Sequence, residues 1–412
     1  MNLSRMHGLR PTLSLLLLVS ISTPSILAQN RRSTPLPEGH AKELVEQACT
    51  SSCHSANTIT RSGFDGVEMW RSVQESMIQL PESEAASIAE YLAEHFPARE
   101  DRKPTLVDGP VEIEIQEWIV PTLGQRSRDP IEAPDGSIWW TGMWASLVGR
   151  LDPMTGVMKE YPLPPEARPH SIVPDEDGFI WYTGNSNGTI GKLDPATGEI
   201  TEYPTEAGDP HTAVFHPNGN LYFTSQRAAM LGRLNPVTGE LTEISTEPRP
   251  YGIIVAQDET VWIAYNGTNK LGALDPESME VQYYNVPDPD TRIRRLGIDS
   301  KGIIWFVNSS KGRIGRLDPA TGDIKEWESP SGPRSHPYSL AVINDKIWYN
   351  ESAMRPDALV RFDPETESFQ SWAIPSGVGI IRHVWVTREN KLLIHQSSSN
   401  RVGLVTIKDL AN

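Results

Sequence analysis

The stretch Ile314-Gly-Arg-Leu-Asp-Pro-Ala-Thr-Gly-Asp-Ile-Lys-Glu-Trp327 decides the fold of this chain, because variants of it recur along most of the sequence. Its proline recurs at positions 153, 195, 236, 276, 319 and 364, a spacing of 40 to 45 residues. Alternating apolar and polar residues flank the Asp-Pro-Ala-Thr-Gly turn, which is typical of a β-hairpin. Short strands repeated with a period in this range predict a propeller.

Each repeat contains two further β-rich runs before the hairpin, as at residues 170–173 and 178–183, so each predicts a four-stranded antiparallel blade. The second strand carries a marker residue that recurs seven times, as Trp139, Trp181, Tyr222, Trp262, Trp305, Trp348 and Leu393. The last repeat lacks a fourth strand, and residues 115–121 match the missing one. We therefore expect an all-β seven-bladed β-propeller over residues 111–412, whose first strand completes its last blade.

The N-terminal residues 1–28 have the pattern of a secretory signal peptide, with Arg5 and Arg10 before a short apolar core and Ala28 at its end. That core is too short to cross a bilayer, so we expect a periplasmic or secreted protein without a transmembrane segment after cleavage. A retained membrane anchor is the alternative. The formal charge of −16 becomes −18 without the two arginines, which argues against nucleic-acid partners.

The two cysteines of the chain are Cys49 and Cys53, and His54 follows directly. A disulfide is one interpretation in an exported protein, although it would close only a very short loop. Zinc is a second, but no other cysteine or histidine pair lies nearby to complete four ligands. Covalent haem is the third, with one residue more between the cysteines than the usual Cys-x-x-Cys-His. We favour haem because the residues that follow have a helical pattern.

Residues 38–97 resemble a small all-α cytochrome c domain. The resemblance rests on the cysteine motif, a helix-like segment that ends at Met77 and a closing helix before Pro97. It implies haem c bound through Cys49 and Cys53, with His54 and Met77 as axial iron ligands and electron transfer to a redox partner protein. Met69 is the competing thioether, and core packing is the alternative role of Met77. Residues 98–110 then form a charged linker.

The innermost strands of a propeller line its central channel, so their first residues predict the functional site. The positions about eleven residues before each marker place a basic or aromatic side chain at one rim: Arg128, His170, His211, Tyr251, Arg294, Tyr338 and Arg382. Residues three after the marker, such as Ser225 and Glu351, are expected opposite them. A water-facing polar rim is one interpretation. Convergent arginines, histidines and tyrosines favour a binding site for a small anionic or carboxylate ligand.

The repeat also resembles the virginiamycin B lyase family across nearly all of residues 111–408. The matching motifs are Arg-Pro-His-Ser-Ile at 168–172, Ile-Thr-Glu-Tyr-Pro at 200–204, Trp-Phe at 305–306 and Ile-Gly-Arg-Leu at 314–317. The resemblance implies a seven-bladed propeller that opens a cyclic depsipeptide lactone by elimination with Mg²⁺. It implies His170 and His211 as catalytic histidines and Asp209 as a metal ligand. Ser225 stands where the second metal-binding acid is expected, and Glu351 holds that strand position three blades away.

Two functions follow from these patterns. The first is an exported c-type haem protein that transfers electrons while its propeller binds a ligand or partner. The second is a carbon–oxygen lyase that acts on a cyclic ester with Mg²⁺, in which His211 is the general base.

Overall fold

A computed structural model describes residues 35–51, 55–377 and 379–408 of the chain. Its N-terminal part is helical and its remainder is a β-propeller. No helix of the described residues is long and apolar enough to cross a membrane. The predicted signal peptide, Cys53 and His54 lie outside the described residues.

The helical part spans residues 42–95 and has its own apolar core. Its elements are α1 (Lys42–Val45), a π-helical turn (Glu46–Thr50), α2 (Ala56–Arg61), α3 (Gly66–Glu75) and α4 (Glu82–His95). Trp70 and Val73 of α3 pack with Ile88, Tyr91 and Leu92 of α4. The Trp70 indole N–H donates to the Phe96 carbonyl oxygen at 3.2 Å, which satisfies its polar atom inside the core. The predicted helices therefore exist, and they pack as one unit.

The propeller consists of seven four-stranded antiparallel sheets within the described residues. The strand β1 (Glu112–Ile119) comes first. Blade 1 comprises β2 (Ser127–Glu132), β3 (Ile138–Gly142), β4 (Leu147–Leu151) and β5 (Met158–Pro162). Blade 2 comprises β6 (Pro169–Pro174), β7 (Ile180–Gly184), β8 (Thr189–Leu193) and β9 (Ile200–Pro204). Blade 3 comprises β10 (Pro210–Phe215), β11 (Leu221–Ser225), β12 (Met230–Leu234) and β13 (Leu241–Ser245).

The remaining blades follow the same order. Blade 4 comprises β14 (Pro250–Val255), β15 (Val261–Tyr265), β16 (Lys270–Leu274) and β17 (Val281–Asn285). Blade 5 comprises β18 (Ile293–Ile298), β19 (Ile304–Asn308), β20 (Arg313–Leu317) and β21 (Ile324–Glu328). Blade 6 comprises β22 (Pro337–Ile343), β23 (Lys346–Glu351), β24 (Ala358–Asp363) and β25 (Ser368–Ala373). Blade 7 contributes β26 (Trp385–Val386), β27 (Leu392–Gln396) and β28 (Arg401–Lys408).

The ring closes as the sequence predicts. The strand β1 pairs with β28 in antiparallel register from Glu112 opposite Lys408 to Ile119 opposite Arg401. The N-terminal strand therefore supplies the fourth strand of blade 7, and no blade is left with three strands. Closure of this kind covers an edge that would otherwise be open to pairing with another chain.

The repeated glycine of the third strand has a packing reason. In blade 3, a Cβ on Gly232 would lie 2.0 Å from Cζ of Phe223 on the neighbouring strand. In blade 5, a Cβ on Gly315 would lie 2.3 Å from Cζ of Phe306. The aromatic ring of the second strand thus lies directly over a residue that has no side chain, which explains glycine in the Ile-Gly-Arg-Leu motif.

The marker aromatic of the second strand stacks on the aromatic of the fourth. Trp181 lies 5.7 Å from Tyr203 in blade 2, and Trp305 lies 5.6 Å from Trp327 in blade 5, measured between ring centroids. Such pairs add a specific contact to the area that they bury. The turn between the outer strands is also fixed locally, because Gly198 has a φ of +80° and its N–H donates to the Asp194 carbonyl at 2.8 Å.

The helical part sits on the face of the propeller where the first strands begin. Gly124, which precedes β2, donates its N–H to the Ser76 carbonyl at 3.2 Å. The Arg401 guanidinium donates to Ser72 Oγ at 2.7 Å from the start of β28. The segment predicted as a linker lies against blade 6, where Val107 and Ser371 exchange hydrogen bonds. The helices are therefore anchored beside one mouth of the channel.

Candidate functional site

The predicted ring lies at a bulge at the start of the innermost strands. In blade 2, Pro169 pairs with Gly184 and the register shifts before Ile172. In blade 3, Pro210 pairs with Ser225 and the register shifts before Thr212. The residue that pairs with the end of the second strand is therefore Pro169 or Pro210, one position before the histidine that the count from the marker predicts. The histidine itself falls in the bulge. Bulges re-aim side chains and are common at functional sites.

Four rings form a continuous row across the channel. The imidazoles of His170 and His211 lie 3.5 Å apart between centroids, and His211 lies 4.4 Å from the ring of Tyr251. The hydroxyls of Tyr251 and Tyr338 share a hydrogen bond. The structure therefore brings together the ring residues that the sequence places in blades 2, 3, 4 and 6.

Arginine side chains lie against the tyrosine end of this row. The Arg294 guanidinium carbon lies 4.3 Å from the ring centroid of Tyr338, and that of Arg382 lies 5.4 Å away. Arg128 donates to Met143 Sδ at 3.1 Å and is 3% exposed. Among the described residues, buried Nε atoms of Arg128 and Arg382 have no hydrogen-bond acceptor. Buried donors without acceptors indicate a place where a ligand atom would be stabilised.

A second layer of polar residues lies directly behind the ring. Arg295 Nη2 lies 3.3 Å from Asp129 Oδ2, and Arg295 Nε donates to the Arg382 carbonyl at 2.9 Å. Asp129 Oδ2 also lies 3.8 Å from His170 Nδ1. Burial alone would raise the pKa of Asp129, but Arg295 and other cationic or histidine neighbours hold it at about 2. The carboxylate is therefore charged, and its hydrogen bond holds the Arg295 guanidinium in place.

Sequence reasoning missed this second layer because it assumed strict alternation along a strand. Asp129, Thr212, Arg295 and His383 each follow a ring residue directly, so an unbroken strand would turn them away from it. The bulge between Ile293 and Leu296 shows how the register absorbs the extra residue in blade 5. A partial signal existed in blade 5, since Arg294-Arg295 is an adjacent charged pair inside the otherwise apolar strand Ile293–Ile298.

The channel histidines are neutral at neutral pH. Burial lowers the pKa of His170 well below its usual range, and Arg128 lowers it further. Burial followed by Arg295 does the same to the pKa of His211. His395 accepts hydrogen bonds at Nε2 from the backbone N–H groups of Arg382 and His383, at 2.8 and 3.3 Å. A neutral imidazole keeps a lone pair and is able to act as a base.

The two acids considered for a metal are engaged elsewhere. Asp209 accepts hydrogen bonds from the N–H groups of Arg227 and Ala228 at 2.6 and 3.2 Å. Glu351 accepts from Ser329 Oγ at 2.6 Å and from the Ser331 N–H at 2.9 Å. Within residues 35–51, 55–377 and 379–408, no three His, Cys, Asp or Glu side chains form a group that could hold a metal ion. Carboxylates committed in this way do not fit an Mg²⁺ site.

The residues predicted to hold haem are described only in part. Cys49, Met69 and Met77 are half-buried against the same apolar cluster, which includes Trp70 and Leu92. Met77 follows the end of α3, and its N–H donates to the Gln74 carbonyl at 2.9 Å. Cys53 and His54 lie outside the described residues, so the haem assignment stays a prediction.

Fold and channel together define a seven-bladed β-propeller with a buried, arginine-rich site on its axis. The sequence model of the virginiamycin B lyase family matches residues 73–247 and 238–410. The chain belongs to the virginiamycin B lyase family.

Solved structures agree with this assignment at the level of the fold. A streptogramin B lyase is 23% identical, with a TM-score of 0.65, over 72% of this chain and 98% of that chain. A catalytically inactive variant of the Staphylococcus aureus virginiamycin B lyase with quinupristin is 22% identical, with a TM-score of 0.65, over 72% and 99%. Hydrazine synthase of Kuenenia stuttgartiensis has a TM-score of 0.59 at 13% identity, over 71% and 97%. A comparison with curated proteins found no match.

Proposed function

We propose that the channel binds a cyclic ester and eliminates its carbon–oxygen bond, as a lyase of this family, and that its arginines hold the carboxylate that this step releases. The observation that carries the proposal is the row of His170, His211 and Tyr251 beside the guanidinium groups of Arg294 and Arg382. A neutral base and a cluster of fixed positive charges meet there in a buried site. Elimination needs these two elements, because a proton must leave carbon while negative charge develops on the substrate.

His211 is the proposed base. Its Nδ1 lies 2.9 Å from Thr212 Oγ1, which also receives a hydrogen bond from Arg295 Nη1 at 3.3 Å. We assign the proton of the neutral imidazole to Nδ1, so that Nε2 carries the lone pair. In the step, Nε2 takes the proton from carbon, the C–H electron pair forms a C=C bond, and the C–O bond breaks toward oxygen. The His170 ring packs against the base, with 3.5 Å between the ring centroids and 35° between the ring planes.

The arginines hold the carboxylate on which negative charge develops as the C–O bond breaks. A charge-assisted hydrogen bond to such a group contributes about 1.5–3 kcal/mol. Burial and Arg382 lower the pKa of Arg126 to about 9, so this guanidinium also stays charged at neutral pH. The acids Asp209 and Glu351 do not fit a metal site, so the proposed step contains no Mg²⁺ and its turnover should persist in a chelator.

The test is the opening of a cyclic ester by the purified full chain, with quinupristin as the first probe and mass spectrometry as the readout. The wild type should linearise it with excess chelator present, and His211→Ala should abolish turnover. His216→Gln is the matched control, because the His216 Nε2–H donates to the Glu259 carbonyl oxygen, 2.8 Å away and outside the row of rings. Turnover that requires added Mg²⁺, or that survives His211→Ala, would contradict the mechanism.

A second candidate function concerns the helical part. The common packing of Cys49, Met69 and Met77 around one apolar cluster is compatible with the cytochrome c resemblance. In this candidate, Cys49 and Cys53 would hold haem c covalently and His54 and Met77 would ligate its iron, which would supply one-electron transfer to a redox partner. The apolar cluster would exclude water from one side of the group.

Expression in a host with cytochrome c maturation machinery tests this candidate. The full chain should carry one haem that resists extraction by acidic organic solvent, and Met77→Ala should weaken the low-spin signature, whereas Met69→Ala should not. A colourless protein would refute haem binding. The same preparation tests export. If residues 1–28 are removed as a signal peptide, the mature chain begins at Gln29.

A further inference from the structure

Two tyrosines from different blades meet inside the channel. The hydroxyls of Tyr251 in blade 4 and Tyr338 in blade 6 share a hydrogen bond, although the residues are 87 positions apart. Their side chains are 3% and 5% exposed. When two phenols share one hydrogen bond, one donates and the other accepts, and the accepting oxygen is the one that can carry negative charge.

The positive charges single out Tyr338 as the acceptor. Arg294 lies 4.3 Å from the ring of Tyr338 and 5.6 Å from the ring of Tyr251. The Arg382 guanidinium carbon, from blade 7, lies 5.4 Å from the ring centroid of Tyr338. The phenol of Tyr338 therefore has guanidinium groups from two blades beside it and a hydroxyl that is able to donate to it from a third.

Charged and titratable groups from several neighbouring elements affect the protonation of Tyr338. Burial disfavours the phenolate, but Arg382, Arg294, Arg128 and the Tyr251 hydroxyl together lower the pKa of Tyr338 to about 7. Burial and Tyr338 raise the pKa of Tyr251. His336 directly precedes the strand of Tyr338, and its ring lies 5.8 Å from the Tyr338 ring. Burial lowers the pKa of His336 to about 4, so it is neutral. The other charged groups that face this site are Arg126, Arg295 with Asp129, and Asp357 beside Arg355.

We propose that Tyr338 is a proton acceptor of the channel, present as a phenolate that neutralises Arg294 and Arg382 and accepts a hydrogen bond from Tyr251. An entering oxyanion takes over both guanidinium groups and removes the charges that stabilise the phenolate. The phenolate oxygen then forms an O–H bond with a proton from the solvent or from an acidic group of the ligand. The proton offsets one negative charge of the entering ion, so the net charge of the channel is unchanged by a monoanion and falls by one with a dianion.

Only the uptake of a proton on anion binding rests on the proposed function. The phenolate belongs to the ligand-free protein, and proton uptake requires an anion to bind. It assigns the channel to ligands that carry an oxyanion group, and it makes their binding coupled to one proton. Binding should consequently be stronger below the pKa of Tyr338 than above it.

The experiment is a pH titration of the ligand-free full chain, followed in the near-ultraviolet band that distinguishes phenolate from phenol. The wild type should show a one-tyrosine step with its midpoint at about pH 7. Tyr338→Phe should remove the step, and Tyr251→Phe should shift it upward because the donated hydrogen bond is lost. Tyr182→Phe is the control, since burial raises the pKa of Tyr182 and the step should be unchanged. Thermal melting confirms that each variant is folded.

Added sulfate then tests the proton uptake on anion binding separately from the presence of the phenolate. At a pH above the midpoint, sulfate should reduce the phenolate absorbance, and the protons taken up per bound ion should equal the fraction of Tyr338 that was phenolate. A folded wild type without the step, or a step that survives Tyr338→Phe, overturns the proposal. Sulfate that binds by calorimetry without changing the absorbance overturns the exchange. A clear step with no sulfate binding contradicts the anion-binding function and leaves the phenolate established.

Discussion

Glycine at the third-strand position is the clearest case of a single residue that shapes a blade. The ring of Phe223 occupies the space that any side chain at Gly232 would need, since a Cβ there would lie 2.0 Å from Cζ. Tyr182 and Gly191 repeat this contact in blade 2, also at 2.0 Å. The sequence motif is thus a packing requirement between neighbouring strands.

Gly232→Ala should destabilise the propeller by about 1–3 kcal/mol, because overpacking forces the aromatic ring out of its rotamer. Chemical denaturation measures the loss. The matched control is the same substitution in a Phe223→Leu background, where the smaller side chain relieves the clash and the cost of the added methyl group should fall. An equal loss of stability in the two backgrounds would show that the Phe223 ring is not the reason for glycine at position 232.

The buried histidines make stability depend on pH. Burial and nearby arginines lower the pKa of His170 and His211, and they hold those of His383 and His395 at about 4 and 3. Unfolded histidine titrates at about pH 6.5, so below that pH the unfolded chain binds more protons than the folded one. The stability contribution is complete above about pH 6.5 and is lost as the pH falls toward the folded pKa values.

The free energy of unfolding should therefore fall as the pH drops below about 6.5, with a slope that approaches about 1.4 kcal/mol per pH unit for each such histidine near pH 5. His383→Gln should reduce this slope by one histidine's share, because an amide does not titrate. Denaturant unfolding at several pH values measures both slopes. An unchanged slope in the variant would mean that His383 is already protonated in the folded protein.

At the level of elements, the sequence predicts the blades well and the channel only in part. The blades depend on contacts between neighbouring strands, and the same residue types recur at these contacts. The recurring residues therefore predict the strand repeats, the position of the marker residue and the closure of the ring by β1. Ring residues such as His170 and Arg294 could be found by counting from the marker. Asp129 and Arg295 could not, because the bulge that re-aims them is a feature of register and is not visible in alternation. The sequence also has no periodic pattern that would predict the contact of the helices with Gly124 and Arg401.

Removal of β1 should destabilise the whole ring, because β28 would lose its partner along Glu112–Ile119 and expose an open edge. A chain that begins after residue 121 should melt at a lower temperature and aggregate more readily than one that begins after residue 98. The second truncation is the control, since it removes the helices and keeps both β1 and the hydrogen bonds between Val107 and Ser371. Identical melting curves would contradict closure by β1.

At the scale of the whole molecule, the distribution of charge is the main clue to function. The chain carries a formal charge of −16, yet its channel gathers Arg126, Arg128, Arg294, Arg295 and Arg382. Asp129 compensates Arg295 directly at 3.3 Å. Concentrating buried positive charge on the axis of an acidic protein costs stability unless a negative group offsets it. The helical part lies beside this mouth, so a ligand approaches the channel next to the predicted haem domain.

Calorimetric titration of citrate into the full-length protein tests the central claim that the channel is an anion site. The wild type should bind, and Arg294→Gln should weaken the affinity by about tenfold or more, because about 1.4 kcal/mol corresponds to one decade. Arg388→Gln is the matched control, since Arg388 donates to the Pro134 carbonyl at 2.9 Å in the turn at the other end of blade 7. Unchanged binding in the control and loss in Arg294→Gln is the predicted result. Equal affinities in all three proteins would contradict the account.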